Sequence, residues 1–429
     1  MAAYADTSTE ELRKLKVQLD EEYAQHKAKG LSLNMARGKP ASAQLDLSMP
    51  MLDLVNSESS YTSKAGDDCR NYGVLDGLAE AKELMAIMLD DTAENTLVFG
   101  NSSLNIMYDT LLRCYTFGTL GATPWGKLEK TKWLCPAPGY DRHFSITESF
   151  GIEMITVPMT ETGPDMDVVE ALVANDSAVK GIWCVPKYSN PDGITYSDET
   201  VQRLAAMPCA SEDFRIFWDN AYSVHHLYDK ASEQDQVLDI GRACQEAGNP
   251  HRYFKFASTS KVTFPGSGIS AMATSEANIA DTKKCMSMQT IGHDKLNQLR
   301  HVRFLVDSQG IATHMSKHAE ILRPKFELVC RKLADNLEGT GCGTWNEARG
   351  GYFISFNAMP GTASRVVSLA KEAGVVMTGA GATYPYGKDP HNSNIRIAPT
   401  LPPLEELEKA MDIFVCCVKL ACIEKLLEG

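Results

Sequence analysis

A chain of 429 residues, 44% apolar and 23% charged, reads as a globular protein of enzyme size with material for a large core and two lobes. Its formal charge of −13 argues against a nucleic-acid or anionic-membrane partner, since either needs a basic face. Twelve cysteines include no C-x-x-C pair and no His–Cys cluster at zinc spacing, the first eleven residues lack a basic-then-apolar signal pattern, and Lys419 and Glu424 interrupt the apolar C-terminal run, so we expect a cytoplasmic protein with reduced thiols, no metal and no membrane span.

In chain order, Ser8-Thr9-Glu10-Glu11 has the form of a capping box and predicts a charged helix to about Lys29. An extended stretch from Leu31 ends in the turn Arg37-Gly38-Lys39-Pro40. The plain reading is a strand and its exit turn; two cations flanking a glycine would also suit close backbone approach to an anionic ligand. Arg70-Asn71-Tyr72-Gly73 precedes a predicted helix, Leu75 to Leu89. The strand Thr96–Phe99, the turn Gly100-Asn101-Ser102-Ser103 and a helix from Leu104 to Tyr115 form the arrangement that aims free N–H groups and hydroxyls at a phosphate, although such turns also merely cap helices.

Short apolar runs then recur at residues 132–135, 154–157, 181–185, 215–218, 253–256 and 269–273, several separated by helix-like segments such as Asp198 to Met207. That alternation predicts an α/β protein with a mainly parallel sheet covered by helices on both faces, in which function collects at the carboxyl ends of the strands. After about residue 300 the pattern changes to a long helical stretch, 301–336, then strand-like runs at 350–356, 375–377 and 395–398, and a final helix from Pro402. This half reads as a smaller α+β lobe joined by the N-terminal segment.

Four stretches at predicted strand ends carry chemistry: Pro138-Gly139-Tyr140, Asn190-Pro191-Asp192-Gly193, Asp219-Asn220-Ala221-Tyr222, and Ser258-Thr259-Ser260-Lys261. Each alone is better read as a turn, a helix cap or a buried ring. A lysine after a hydroxyl cluster gains meaning only from company, because a nucleophilic lysine must be desolvated to lose its proton.

The order Gly-Asn-Ser-Ser, Pro-Gly-Tyr, Asn-Pro-x-Gly, Asp-x-x-Tyr, Ser-x-Ser-Lys and then Arg396 resembles the class I/II aminotransferases of pyridoxal-phosphate (PLP) fold type I, from about Asn34 to Arg396. The segment from Asn34 to Pro40 and the run from Ser258 to Gly268 resemble in particular the aspartate aminotransferase subgroup related to MocR aminotransferase domains. The resemblance implies a seven-stranded sheet sandwiched by helices, a large domain over residues 50–300, and a small domain from residues 1–49 and 301–429. It implies that Lys261 bonds the PLP aldehyde and shuttles the substrate proton, and that Asp219 pairs with the pyridine nitrogen. Asn190 and Tyr222 would bond the phenolic oxygen, Tyr140 would stack on the ring, and Asn101, Ser102, Ser103, Ser258 and Ser260 would hold the phosphate. Tyr72 matches a tyrosine that reaches into the partner subunit's site, implying a homodimer with shared active sites. Arg396 would clamp the substrate α-carboxylate beside Asn190, with Gly38 in a substrate-contacting turn.

One departure is plain: related chains often carry a phosphate-binding arginine seven residues after the lysine, where this chain has Gly268. The subgroup implies L-aspartate and 2-oxoglutarate as substrates, whose distal carboxylate needs a second cation, and Arg37 and Lys39 are the nearest substitutes. Fold type I also hosts β-elimination and C–S lyases. A MocR-like regulator is disfavoured by an acidic chain with only some thirty residues before Asn34.

Overall fold

The computed structural model describes residues 3–428, so residues 1, 2 and 429 of the expected small domain lie outside the described residues. Along the chain the strands are β1 (Leu33–Asn34), β2 (Thr96–Phe99), β3 (Lys132–Ala137), β4 (Glu153–Thr160), β5 (Gly163–Pro164), β6 (Val179–Cys184), β7 (Arg215–Asp219), β8 (Tyr253–Ser258), β9 (Ser270–Ala273), β10 (Gly343–Trp345), β11 (Ile354–Ala358), β12 (Val375–Val376) and β13 (Asn394–Ile397).

The apolar runs form strands because both faces of the large sheet are covered. Every residue of β2, β6, β7 and β9 is buried, as expected for a parallel sheet between helix layers. The order is β2-β9-β8-β7-β6-β3-β4-β5. Strands β4, β3, β6, β7 and β8 run parallel, β9 is antiparallel to both of its neighbours, and two-residue β5 folds back on β4 as an eighth strand beyond the seven expected. Under the strand ends Trp133, Trp183 and Phe217 pack edge-on or tilted, with centroids 5.0–5.5 Å apart.

A second core joins the two ends of the chain. The first helix, Thr9–Ala28, starts on the expected Ser8–Glu11 capping box and packs Leu12, Leu19 and Tyr23 against the last helix, Leu404–Glu428. Strand β1 pairs with β12 in parallel, and β10-β11-β13 form an antiparallel sheet in which Arg396 stands opposite Ser355. The N-terminal extended stretch thereby becomes a wall of the same lobe as Arg396.

Two helix expectations are corrected. The helix after Tyr72 is Ala79–Leu89 and starts later than Leu75, because Gly77 turns at φ +97°, where an added Cβ would meet Val98 Cβ at 2.6 Å. The stretch 301–336 is the end of one helix, Lys295–Leu305, and most of a second, Ser308–Leu337. Val306 at φ 66° ends the first, and the Asp307 side chain caps the second by accepting from Gly310 N at 2.9 Å.

Candidate active site

The carboxyl ends of β2, β3, β6, β7 and β8 open on one cavity of about 300 Å³. Its walls include Ser102, Ser103, Tyr140, Asn190, Asp219, Tyr222, Ser258, Ser260 and Lys261, with Arg37, Gly38, Lys39 and Arg396 closing it from the smaller lobe. Two expected residues do not line it. Asn101 stands one residue back, its side chain donating to Pro265 O at 3.1 Å and its carbonyl accepting from Ser260 Oγ at 3.2 Å. Tyr72 is 83% exposed and borders a separate surface pocket with Gly292 and His293.

Lys261 follows β8 and points between two rings, its Nζ 4.8 Å from the Tyr222 centroid and 5.7 Å from that of Tyr352. Enclosure lowers its pKa below the ordinary 10.5, against a smaller opposing pull from Asp219. The loop is held from behind. Thr259 donates its N–H to the Ile269 carbonyl at 2.8 Å and its Oγ1 accepts from the Ile269 N–H at 3.0 Å, and His301 Nε2 meets the hydroxyls of Thr259 at 3.3 Å and Thr263 at 2.9 Å. Since His301 Nδ1 faces the Asn297 carbonyl at 2.8 Å, it carries the proton there and Nε2 accepts. On the other side His314 Nε2 contacts the Val262 carbonyl at 2.7 Å.

The Gly268 departure has a steric cause. A Cβ at this position would lie 2.7 Å from Thr259 Oγ1 and 3.1 Å from Phe264 O, so no arginine can stand there without moving the lysine loop. Gly268→Ala is therefore expected to cost about 1–3 kcal/mol, the usual range for overpacking, read as a lowered melting temperature. In place of an arginine the cavity offers the hydroxyls of Ser102, Ser103, Ser258 and Ser260 at the N-terminus of the 15-residue helix Ser103–Phe117, where free N–H groups point outward.

Asp219 ends β7 and is 3% exposed. Its Oδ2 lies 3.1 Å from His143 Nε2, while its Oδ1 is buried with no partner among the described residues. A buried carboxylate oxygen without a donor is costly, so the arrangement suits a ligand that brings an N–H. His143 in turn stacks on Trp183, with centroids 4.4 Å apart and planes 10° apart. Burial, and then Asp219, pushes the Tyr140 hydroxyl up to about 12, so it stays protonated.

Arg396, 6% exposed, lies over the Phe353 ring at 4.8 Å and reaches Asp141 Oδ1 at 2.9 Å, Asn190 Oδ1 at 3.2 Å and Thr378 Oγ1 at 3.4 Å. Gly38 leaves room for that ring: a Cβ would sit 2.6 Å from Phe353 Cζ. Sequence reasoning missed Asp141, Arg142, His143 and Phe353. The available signal was position, since the first three directly follow Tyr140 at the start of the helix Asp141–Ser149 and so face the same strand end.

The family model described as aspartate amino-transferase matches residues 7–429. An aspartate aminotransferase from Corynebacterium glutamicum is 48% identical over 399 residues, covering 93% of this chain and 91% of its own. The crystal structure of an aspartate transaminase from the same species superposes with a TM-score of 0.96 at 45% identity, over 99% of both chains. The α-aminoadipate aminotransferase of Thermus thermophilus, solved with N-(5'-phosphopyridoxyl)-L-leucine, shares the fold at a TM-score of 0.72 and 18% identity, over 99% of this chain and 96% of its own.

Proposed function

From the premise that the chain belongs to the aspartate amino-transferase family and is an aminotransferase, we propose that it moves the amino group of L-aspartate to 2-oxoglutarate by a ping-pong mechanism with PLP as cofactor. The observation that carries the reading is one cavity in which a desolvated lysine, a buried carboxylate with a free oxygen and a buried arginine converge. These residues fit PLP: the Lys261 amine suits its aldehyde, Asp219 Oδ1 its ring N–H, and the serine hydroxyls with the helix N-terminus its phosphate. When bound, the cofactor supplies an electron sink for charge left at the substrate α-carbon. Lys261 carries the proton to and from that carbon, and Asp219 holds the proton on the ring nitrogen. Tyr140 covers a ring face, Asn190 and Tyr222 orient the phenolic edge, and Arg396 clamps the α-carboxylate.

A dicarboxylate requires a second cation, because a buried unpaired carboxylate is costly. Arg37, Lys39 and Arg142 all line the cavity, and none forms an ion pair among the described residues. We favour Arg142. Its guanidinium can take a carboxylate on two parallel bonds, and its chain neighbour Asp141 contacts Arg396, which keeps the two cations close enough for the short span between aspartate's carboxylates. Arg142→Ala is expected to cost about 2–5 kcal/mol in kcat/KM for aspartate, the range for truncating one partner of a buried charge pair, and to leave alanine nearly unaffected. If the loss follows Arg37 or Lys39 instead, the assignment moves to that residue.

The homodimer reading rests on exposed apolar surface. Tyr72, Phe117, Met288 and Ile291 are 83%, 56%, 74% and 61% exposed, more than a lone chain in water favours. In this reading Tyr72 completes the site of the partner subunit. The division at residues 50–300 follows the large sheet, and the small domain follows the core shared by the first and last helices. No helix among the described residues is long and apolar enough to cross a membrane. Twelve unpaired cysteines support a reducing, cytoplasmic setting.

The decisive test incubates purified, PLP-loaded protein with L-aspartate and 2-oxoglutarate and follows oxaloacetate and glutamate. Release of ammonia and pyruvate from an amino acid alone would overturn transamination in favour of elimination.

A further inference from the structure

The Arg396 guanidinium is already holding a carboxylate. Of its five N–H groups, the two on Nη1 face Asp141 Oδ1 at 2.9 Å and Asn190 Oδ1 at 3.2 Å. One on Nη2 reaches Thr378 Oγ1 at the longer distance of 3.4 Å. The Nε–H is buried and without a partner among the described residues. An unpaired buried guanidinium N–H has no structural use, and together with the remaining Nη2–H it forms the side fork that accepts a carboxylate on two parallel bonds. A substrate carboxylate can therefore dock on the Nε/Nη2 edge while Asp141 keeps the Nη1 edge.

A carboxylate in contact with the cation that an anionic ligand needs is a competitor for its charge. Asp141 is part of the cavity wall, and its side chain is 35% exposed while that of Arg396 is 6% exposed. We propose that Asp141 is a positioning residue that turns the free fork of Arg396 toward the substrate and weakens the grip of that fork on every carboxylate, substrate and product alike. The inference rests on Arg396 being the α-carboxylate clamp. An enzyme of this kind must release a carboxylate product after each half-reaction, a 2-oxo acid after the first and an amino acid after the second, and a buried arginine left with its full charge would hold that product tightly. Asp141 shares out that charge before the ligand arrives, at fixed geometry, because the Asn190 carbonyl and the Phe353 ring hold the same guanidinium from other sides.

The test measures equilibrium binding of succinate and of propionate, two carboxylates that cannot react, to the PLP-loaded protein by calorimetric titration. Asp141→Asn keeps an oxygen for Nη1 and removes only the charge. Its Kd for both ligands should fall by about tenfold, and KM for aspartate and alanine should fall with it while kcat does not rise, because one negative charge beside the fork is gone whatever the rest of the ligand. Asp141→Glu restores the charge and should return Kd to near the wild-type value. A merely structural role predicts weaker binding in Asp141→Asn, rescued by neither ligand choice. An unchanged or weaker Kd in Asp141→Asn with cofactor still retained would overturn the inference. Wild-type protein that turns over aspartate but binds neither probe would instead remove Arg396 from the clamp, and this inference with it. If Asp141→Asn does not fold, Asp141→Gln, which also offers Nη1 an amide oxygen without the charge, reads the same quantity.

Discussion

Lys261→Ala is expected to lower transamination by several orders of magnitude while the protein remains folded. Two losses combine: the covalent hold on the cofactor, and the proton transfer at the substrate α-carbon, which alone contributes about 10²–10⁴ in general acid–base catalysis. The fold should survive because the lysine loop is held by Thr259, Thr263 and His301, none of which bonds to the Lys261 amine. The lowered pKa of Lys261 sets a second expectation. Only the neutral amine attacks an aldehyde, so uptake of PLP by the empty protein should rise with pH and level off below the ordinary lysine value of 10.5. Borohydride reduction of the holoprotein followed by peptide mapping checks the assignment. The rival is Lys187, which burial lowers to about 8, but its ammonium donates to the Ser223 carbonyl at 3.0 Å and it does not line the cavity. A reduced adduct on Lys187, or on any lysine but Lys261, would overturn the assignment.

Asp219→Asn should leave PLP bound and reduce turnover by about 10²–10³-fold or more, the range for removing one preorganised electrostatic partner. The amide has nearly the same shape as the carboxylate, so the contact to His143 and the packing on Trp183 and Phe217 persist. What would disappear is the negative charge that, in the proposed reaction, would keep a proton on the cofactor ring nitrogen, and with it the pull on electrons leaving the α-carbon. Absorbance of the desalted variant reports retained cofactor, and single-turnover measurements with aspartate report the chemical step. Near wild-type single turnovers in Asp219→Asn would place the electron-sink partner elsewhere. Asp219→Glu, which keeps the charge at a longer reach, should recover part of the loss.

The two variants differ in how visible their targets are along the chain. Lys261 and Asp219 stand within contiguous motifs at the ends of apolar runs, where a parallel sheet puts its working residues. The same holds for Tyr140 and Asn190. Alternating apolar runs sufficed for the α/β class, because strands buried on both faces must be continuously apolar. They could not supply the two-residue strand β5, whose pairing is a hairpin detail, or the break at Val306, where a β-branched residue adopts a left-handed conformation that local propensity disfavours.

What the sequence by itself determined was the family resemblance, the sheet and most of the residues that line the candidate cavity, since each lies in a local pattern whose chemistry depends on its immediate neighbours. Only the tertiary structure decided which remote side chains act on one another. His143 and Asp219 are 76 residues apart, Asp141 and Arg396 are 255 apart, and Gly38 and Phe353, which meet beside Arg396, are 315 apart. The physical reason is that such contacts arise from packing whole elements together, and strand order and register are set by the sum of burial over both cores, which no short stretch of residues records.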